Sequence, residues 1–447
     1  MANFSPLARR LVAPGAGSAA LTVVKISPSN GSISNMYRRN IEPLVLEALA
    51  DTRAVYLAGA RQCGKSTLAR AIAERTGRRY LTLDDPLTLD LARADPAGLA
   101  ASAARQPLVI DEAQRLPELL LAIKRAVDDD PAPGRFLLTG SANFLALPQV
   151  ADSLAGRVEI IELHTLSQGE LRGRREGFLD ALFAGSPAAG LGPSELGRAE
   201  YLRLAEAGGY PEAVGRQLPA RRRRWFASYL DTIIRRDLRD IAAIEHVAAV
   251  PALLRLIAGR VGSTANVAGL AQDLHLPHST VTRYLRHLET LYLLAPLPAW
   301  STNFSARLTK SPKLYLADPG LAAALAGSGA AMAERVPEAA GQLLEAFAVA
   351  EVRKQATWSE TAPSVSYLRT YAGLEVDLVL EAPDGRVAAL EVKAAARPER
   401  RDFRGLAALR DELGSRFIAG AVLSPHPEPL PAGDRLWALP LDALWRA

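Results

Sequence analysis

The run GARQCGKST, Gly59 to Thr67, carries the first chemistry that can be read from this chain. Gly59, Gly64, Lys65 and Ser66 satisfy GxxxxGK[ST], a phosphate-binding spacing. Glycines let backbone N–H groups wrap phosphates, and a helix opening at the loop favours negative charge at its N-terminus. Lys65 is expected to reach the β- and γ-phosphates of ATP and the Ser66 hydroxyl to ligate Mg²⁺, with Thr67 structural. PLVIDEAQ then gives an apolar run ending in Asp111 and Glu112. An aspartate there holds magnesium through water, and the adjacent glutamate orients or deprotonates the attacking water. FLLTGSAN places Ser141 and Asn143 past another apolar run, where a side chain can sense the γ-phosphate. DSLAGR brings Arg157, which stabilises transition-state charge in cis or from a neighbouring subunit, or forms a plain surface ion pair.

A second cluster lies near the C-terminus. GLEVDLVLE holds Asp377, PDGR is a turn, and VAALEVKAA holds Glu391 and Lys393. Residues i and i+2 of a strand share a face, so Glu391 and Lys393 point together. The hairpin sets Asp377 beside Glu391. Such carboxylates can hold Mg²⁺ or Mn²⁺ on a scissile phosphate, with Lys393 positioning or activating water. GQLLEAFAVAEVRKQ reads as a preceding amphipathic helix, and one of its glutamates, Glu345 or Glu351, completes the set. A solvated strand face with a cross-strand charge pair would use the same letters. Lysines are scarce beside arginines, so Lys65 and Lys393 inside motifs suggest a need for a compact point charge. The order α-β-β-β-α-β with Asp…Glu-x-Lys resembles the restriction-endonuclease-like (PD-(D/E)xK) nucleases.

The elements that must position these groups follow from hydrophobic periodicity. AVYLAG, RYLTLDD, PLVIDEA, RFLLTGS and VEIIELH read as buried strands alternating with helices. That implies a parallel sheet covered on both faces. The fold class is α/β multidomain: a P-loop core over 36–165, a helical lid or connector over 166–245, a winged-helix-like domain over 246–325, and a restriction-endonuclease-like domain over 338–447. Residues 1–35, rich in Gly, Ser, Ala and Pro, read as a weakly structured extension, with Met36 as an alternative start. NVAGLAQDLHLPHSTVTRYLRHLETLYLL has a helix-turn-helix pattern. Val267, Leu270, Ala271 and Leu274 form one inward face, Leu276-Pro277 the turn, and Val281, Leu285 and Leu288 the second face. Ser279, Thr280, Thr282, Arg283 and Arg286 point outward, suited to phosphates and base edges. LYLLAPL and KLYLAD supply wing strands, with strand structure reaching about Leu325.

LAGARQCGKSTLAR, PLVIDEAQRLP, FLLTGSAN, SLAGR, LSQGEL and GGYPEAV together resemble a large group of AAA+ superfamily ATPases of bacteria and archaea. Their C-terminal half is described as a domain of unknown function. YLDTIIRRDL, KLYLADPGLAAAL and GQLLEAFAVAEVRKQ extend the resemblance to roughly residues 36–447. It implies ATP and Mg²⁺ as ligands.

Net charge is +5, with basic clusters such as RRRRW from Arg221 to Trp225. These are solvated faces or phosphate contacts. The single cysteine, Cys63, excludes an intramolecular disulfide. No apolar run is long enough to span a bilayer, so the expectation is a cytoplasmic chain without membrane contact. Two readings stand. One is an ATPase acting on DNA, capable of assembling as a homo-oligomer, with a metal-dependent C-terminal nuclease site. The other is a nucleotide-controlled DNA-binding or protein-interaction switch with a catalytically inactive nuclease-like tail.

Overall fold

Five short apolar runs form one parallel sheet: β1 (Ala54–Ala58), β2 (Arg79–Thr82), β3 (Leu108–Asp111), β4 (Phe136–Gly140) and β5 (Val158–Glu162), ordered β2-β3-β4-β1-β5. The computed structural model describes residues 37–141, 156–237, 247–302, 307, 310–327, 329–370 and 373–447. The expected extension over 1–35 and the site residue Asn143 lie outside them. The inner strands β3, β4 and β1 are buried on both faces and so carry apolar residues at nearly every position. The edge strands β2 and β5, expected to be buried, are only partly so, with Arg79 and Ile160 exposed. Val55 and Leu57 enter one core, whereas Ala54, Tyr56 and Ala58 enter the other. Helices α1 (Glu42–Asp51) and α2 (Lys65–Thr76) cover the first face. Helices α3 (Pro86–Ala94), α4 (Pro96–Ser102) and α5 (Pro117–Asp129) cover the second. Asp85 and Asp95 begin α3 and α4 by accepting backbone N–H groups that a helix start leaves unpaired.

The connector contains α6 (Phe178–Phe183), α7 (Arg198–Ala207) and α8 (Pro219–Thr232). The next segment contains α9 (Val250–Ala258), α10 (Val267–Leu274) and α11 (His278–Thr290). A ribbon follows, of antiparallel strands β6 (Leu294–Leu297) and β7 (Lys313–Leu316). Strand structure in this segment ends there, short of Leu325: Asp318 caps helix α12 (Pro319–Ala326) by accepting from the N–H groups of Gly320 and Leu321.

The C-terminal unit opens with α13 (Pro337–Ala356). The meander β8 (Ser364–Arg369), β9 (Glu375–Glu381) and β10 (Val387–Val392) is antiparallel. Helix α14 (Arg404–Leu413) then returns the chain to β11 (Phe417–Ser424), parallel to β10. Strands β12 (Leu430–Gly433) and β13 (Leu436–Pro440), which the sequence reading did not foresee, complete the order β12-β13-β11-β10-β9-β8. The expected amphipathic character of α13 is also corrected. Phe347, Ala348, Val349, Ala350, Glu351 and Val352 are consecutive and all buried, so this stretch of the helix is enclosed all round. Among the described residues no helix is long and apolar enough to cross a membrane.

Candidate functional site

The phosphate loop joins β1 to α2. Gly59 and Gly64 have φ of 150° and 107°, backbone that side-chain-bearing residues rarely adopt. A Cβ at Gly59 would also lie 2.3 Å from the carbonyl oxygen of Leu163. Lys65 is buried and its Nζ donates to the carbonyls of Gly59 at 2.9 Å and Ala60 at 2.8 Å. The lysine thus spans the loop, its charge held by carbonyl dipoles. Cys63 is fully buried, with Sγ 3.2 Å from the Leu163 carbonyl. Arg39, which the sequence reading missed, braces the loop from behind. Its guanidinium donates to the Cys63 carbonyl at 2.9 Å, the His164 carbonyl at 2.7 Å and Glu170 Oε1 at 3.0 Å.

Asp111 ends β3, and β4 separates that strand from β1. Side chains at the C-terminal ends of these three strands therefore share one end of the sheet. Tyr80 donates to Asp111 Oδ2 at 2.8 Å and Thr139 donates to its other oxygen. Glu112 has a positive φ of 57°, uncommon outside glycine. Its Oε2 accepts from Gln114 Nε2 and, at 3.3 Å, from the Ser141 hydroxyl, while Thr139 Oγ1 accepts from its N–H at 3.2 Å. Such backbone persists where its surroundings over-determine it. Ser141 and Gln114 also meet at 3.2 Å, so Ser141, Gln114 and Glu112 form one hydrogen-bonded unit. The hydroxyl of Ser66 and the carboxylate of Asp111 are hard oxygen donors, a set that fits Mg²⁺.

Arg157 lies elsewhere. Val158 pairs beside Ala54, at the opposite end of β1 from the loop. Arg157 Nε is 2.5 Å from Asp128 near the end of α5. A role in cis on the nucleotide of its own chain does not fit that position, which leaves a role from a neighbouring subunit or a surface ion pair.

On α11, Ser279, Arg283 and Arg286 are exposed, while Val281 and Leu288 are buried. Thr280 and Thr282 are half-buried, and the Thr282 hydroxyl donates to the His278 carbonyl at 3.0 Å. The outward face thus rests mainly on the two arginines and Ser279.

The C-terminal cluster comes together as the strand pairing requires. Leu390 pairs with Leu378, which brings Glu391 beside Asp377. The Val392 N–H donates to Asp377 Oδ2 at 2.9 Å and the Asp377 N–H to Glu391 Oε2 at 3.3 Å. Lys393 Nζ is 2.6 Å from Glu391 Oε1. Burial, with the Asp377 charge beside it, pushes the Glu391 carboxyl well above the usual range; burial and Asp377 do the same to Glu345. Glu345 joins this group, but Glu351 does not: Lys354 and the Gln168 N–H hold Glu351 at 2.7 Å each, in a different place. Lys313 of β7 enters the cluster, 3.0 Å from Glu345, 2.7 Å from Glu375 and 3.6 Å from Asp377. Tyr315 also donates to Glu345, at 2.5 Å. Among the described residues no three His, Cys, Asp or Glu side chains are arranged to hold a metal ion. The carboxylates as they stand are turned instead to Lys313, Lys393 and backbone N–H groups. An open cavity of about 530 Å³ remains beside them, lined by Arg198, Glu345, Asp377 and Lys393. The scarcity of lysine was a usable signal for Lys313; nothing local pointed to Arg39 or Gln114.

The family models that match are an AAA domain over residues 51–172, a domain of unknown function (DUF8612) over 198–331 and a domain of unknown function (DUF4143) over 340–444. The Walker-type ATPase paby2304 of Pyrococcus abyssi, a solved structure, is 15% identical with a TM-score of 0.43, covering 65% of this chain and 95% of its own. Uncharacterized proteins of Mycobacterium tuberculosis and Mycobacterium bovis are each 30% identical over 426 residues, 94% of this chain and 88% of theirs. The chain belongs to the same family as these two mycobacterial proteins, and its core is an AAA-domain P-loop ATPase.

Proposed function

We propose that this chain hydrolyses ATP with Mg²⁺ and uses the cycle to act on DNA. The observation that carries the hydrolytic part is Glu112, held by Gln114 and Ser141 at the end of the sheet that bears the phosphate loop. Lys65 would exchange its two loop carbonyls for phosphate oxygens. Mg²⁺, held by Ser66 and through water by Asp111, would neutralise charge on the β- and γ-phosphates. Glu112 orients the water that attacks the γ-phosphorus as the bond to the ADP oxygen breaks, and its carboxylate takes the water's proton. Arg157 of a neighbouring subunit in a homo-oligomer would add positive charge at the transition state. DNA would be met by Ser279, Arg283 and Arg286 of α11. Asp377, Glu391, Lys393 and Glu345 resemble the set of a metal-dependent nuclease, but they would have to rearrange before holding Mg²⁺ or Mn²⁺.

The second reading, a nucleotide-controlled switch with an inactive nuclease-like tail, is favoured by one observation: Lys313 stands among the carboxylates. ATP turnover measured with and without DNA tests the first reading. Glu112→Gln should lower kcat by about 10²–10⁴-fold with ATP binding retained. Lys65→Ala should abolish binding. Full turnover in Glu112→Gln would overturn the assignment of the base. Cleavage of plasmid or branched DNA that disappears in Asp377→Ala would favour the nuclease over the switch.

A further inference from the structure

Lys313 belongs to β7, yet its ammonium lies inside the C-terminal unit. The side chain is almost wholly buried and its Nζ reaches Glu345 of α13 and both Glu375 and Asp377 of β9. The ring of Tyr367 on β8 lies 5.5 Å from the same ammonium, close enough for a cation–π contact. Three elements of one unit therefore converge on a cation supplied by the preceding unit.

Most carboxylate oxygens of the cluster already have a partner. Both oxygens of Asp377 have partners, Lys313 and the Val392 N–H. Both oxygens of Glu391 have partners, Lys393 and the Asp377 N–H. Glu345 Oε1 accepts from Lys313 and Tyr315. A magnesium ion would need several of these oxygens at about 2.0–2.1 Å. Instead the Lys313 nitrogen stands 3.0 Å from Glu345 Oε1 and 3.6 Å from Asp377 Oδ1, while the Glu391 oxygens face Lys393 and the Asp377 N–H.

The lysine is also fixed to the helix-turn-helix segment. Lys313 pairs with Leu297 of β6 on one side and with Thr264 on the other. Thr264 lies just before Asn266, whose side chain caps α10. The ribbon is docked on β8, where the Trp300 N–H donates to the Tyr367 carbonyl at 2.6 Å and the Tyr367 hydroxyl to the Ser311 carbonyl at 2.6 Å. The backbone that carries Lys313 into the carboxylates is therefore tied to the segment that carries α10 and α11.

We propose that Lys313 is the resident cation of the C-terminal acidic pocket and excludes a divalent ion from it for as long as the β6–β7 ribbon stays docked. The proposal rests on the reading of Asp377, Glu391 and Lys393 as a nuclease-like set, and it makes metal entry conditional on the position of the helix-turn-helix segment. Metal and lysine are alternative occupants of one place.

The test is a Mn²⁺ titration of the nucleotide-free full chain, with free Mn²⁺ read by electron paramagnetic resonance and no DNA present. Wild type and Asp377→Asn should give the same curve. Lys313→Met should gain a site binding Mn²⁺ at least tenfold more tightly, absent from Lys313→Met/Asp377→Asn, and Lys313→Arg should behave as wild type. A folded Lys313→Met that gains no site overturns the proposal, and Lys313→Gln replaces it if the methionine variant does not fold. Wild-type binding that Asp377→Asn removes overturns it without any lysine variant. Gain of the Mn²⁺ site without any DNA cleavage would sustain the exclusion by Lys313 and sink the nuclease reading.

Discussion

Arg39 shows how much of the nucleotide site depends on a side chain outside the motif. Its three acceptors are two carbonyls and a buried carboxylate, which only a planar fork of donors can reach together. Arg39→Ala would leave Glu170 buried without its ionic partner, at a cost of about 3–5 kcal/mol in chemical denaturation. The same change frees the Cys63 carbonyl, so the peptide plane leading into Gly64 loses its anchor. ATP affinity should fall by about tenfold, roughly 1.4 kcal/mol. Unchanged affinity in a folded Arg39→Ala would remove the loop from the account. The loop itself was legible because its spacing is local and its glycines answer a local backbone demand. Arg39 was not, because its contacts form only after the sheet has assembled; Gln114 has a local partner in Glu112, but its link to Ser141 also waits on β4.

Helix α11 is the element on which the proposed DNA contact rests. Arg283 and Arg286 are exposed beside Ser279, and the opposite face packs Val281, Tyr284 and Leu288 into the core. Each arginine that neutralises a DNA phosphate releases bound counterions, so removing one should reduce the salt slope of DNA affinity by about 0.9. Arg283→Ala/Arg286→Ala should therefore weaken binding and flatten the slope by about two, measured by titration at several salt concentrations. A slope that does not move would place the DNA surface elsewhere. The two helices α10 and α11 were legible because one face of each is apolar at regular spacing. Helix α13 was misread for the converse reason. Its glutamates looked like a polar face, but Glu351 is paired internally with Lys354 and Glu345 with Lys313 and Tyr315. A polar letter compensated by a distant partner is indistinguishable, in sequence, from one facing water.

At the scale of the whole molecule, LSQGEL is the junction. Its backbone is held from α13, with Lys354 donating to the Leu166 carbonyl at 2.9 Å and Glu351 accepting from the Gln168 N–H at 2.7 Å. From the N-terminal side, the Asn40 N–H donates to Glu170 at 2.7 Å, and from just beyond the segment Glu176 accepts from the Gly169 N–H at 2.6 Å. Burial, with the Glu351 charge nearby, pushes the Glu176 carboxyl up to about 7. An acid whose folded value is raised binds its proton more tightly when folded, so its contribution is complete below the unfolded value of about 4.5. That contribution is lost as pH rises from about 4.5 to about 7 and changes no further above it. The full excursion is about 3 kcal/mol, from about 1.4 kcal/mol per unit. Denaturation midpoints of the full chain should decline across this window, and Glu176→Gln should flatten that decline. Because the carboxylate sits where the ATPase core, the connector and α13 meet, the loss should appear in one transition shared by all three. A pH-dependent transition confined to the C-terminal unit would mean that the junction does not bind these parts into one cooperative body.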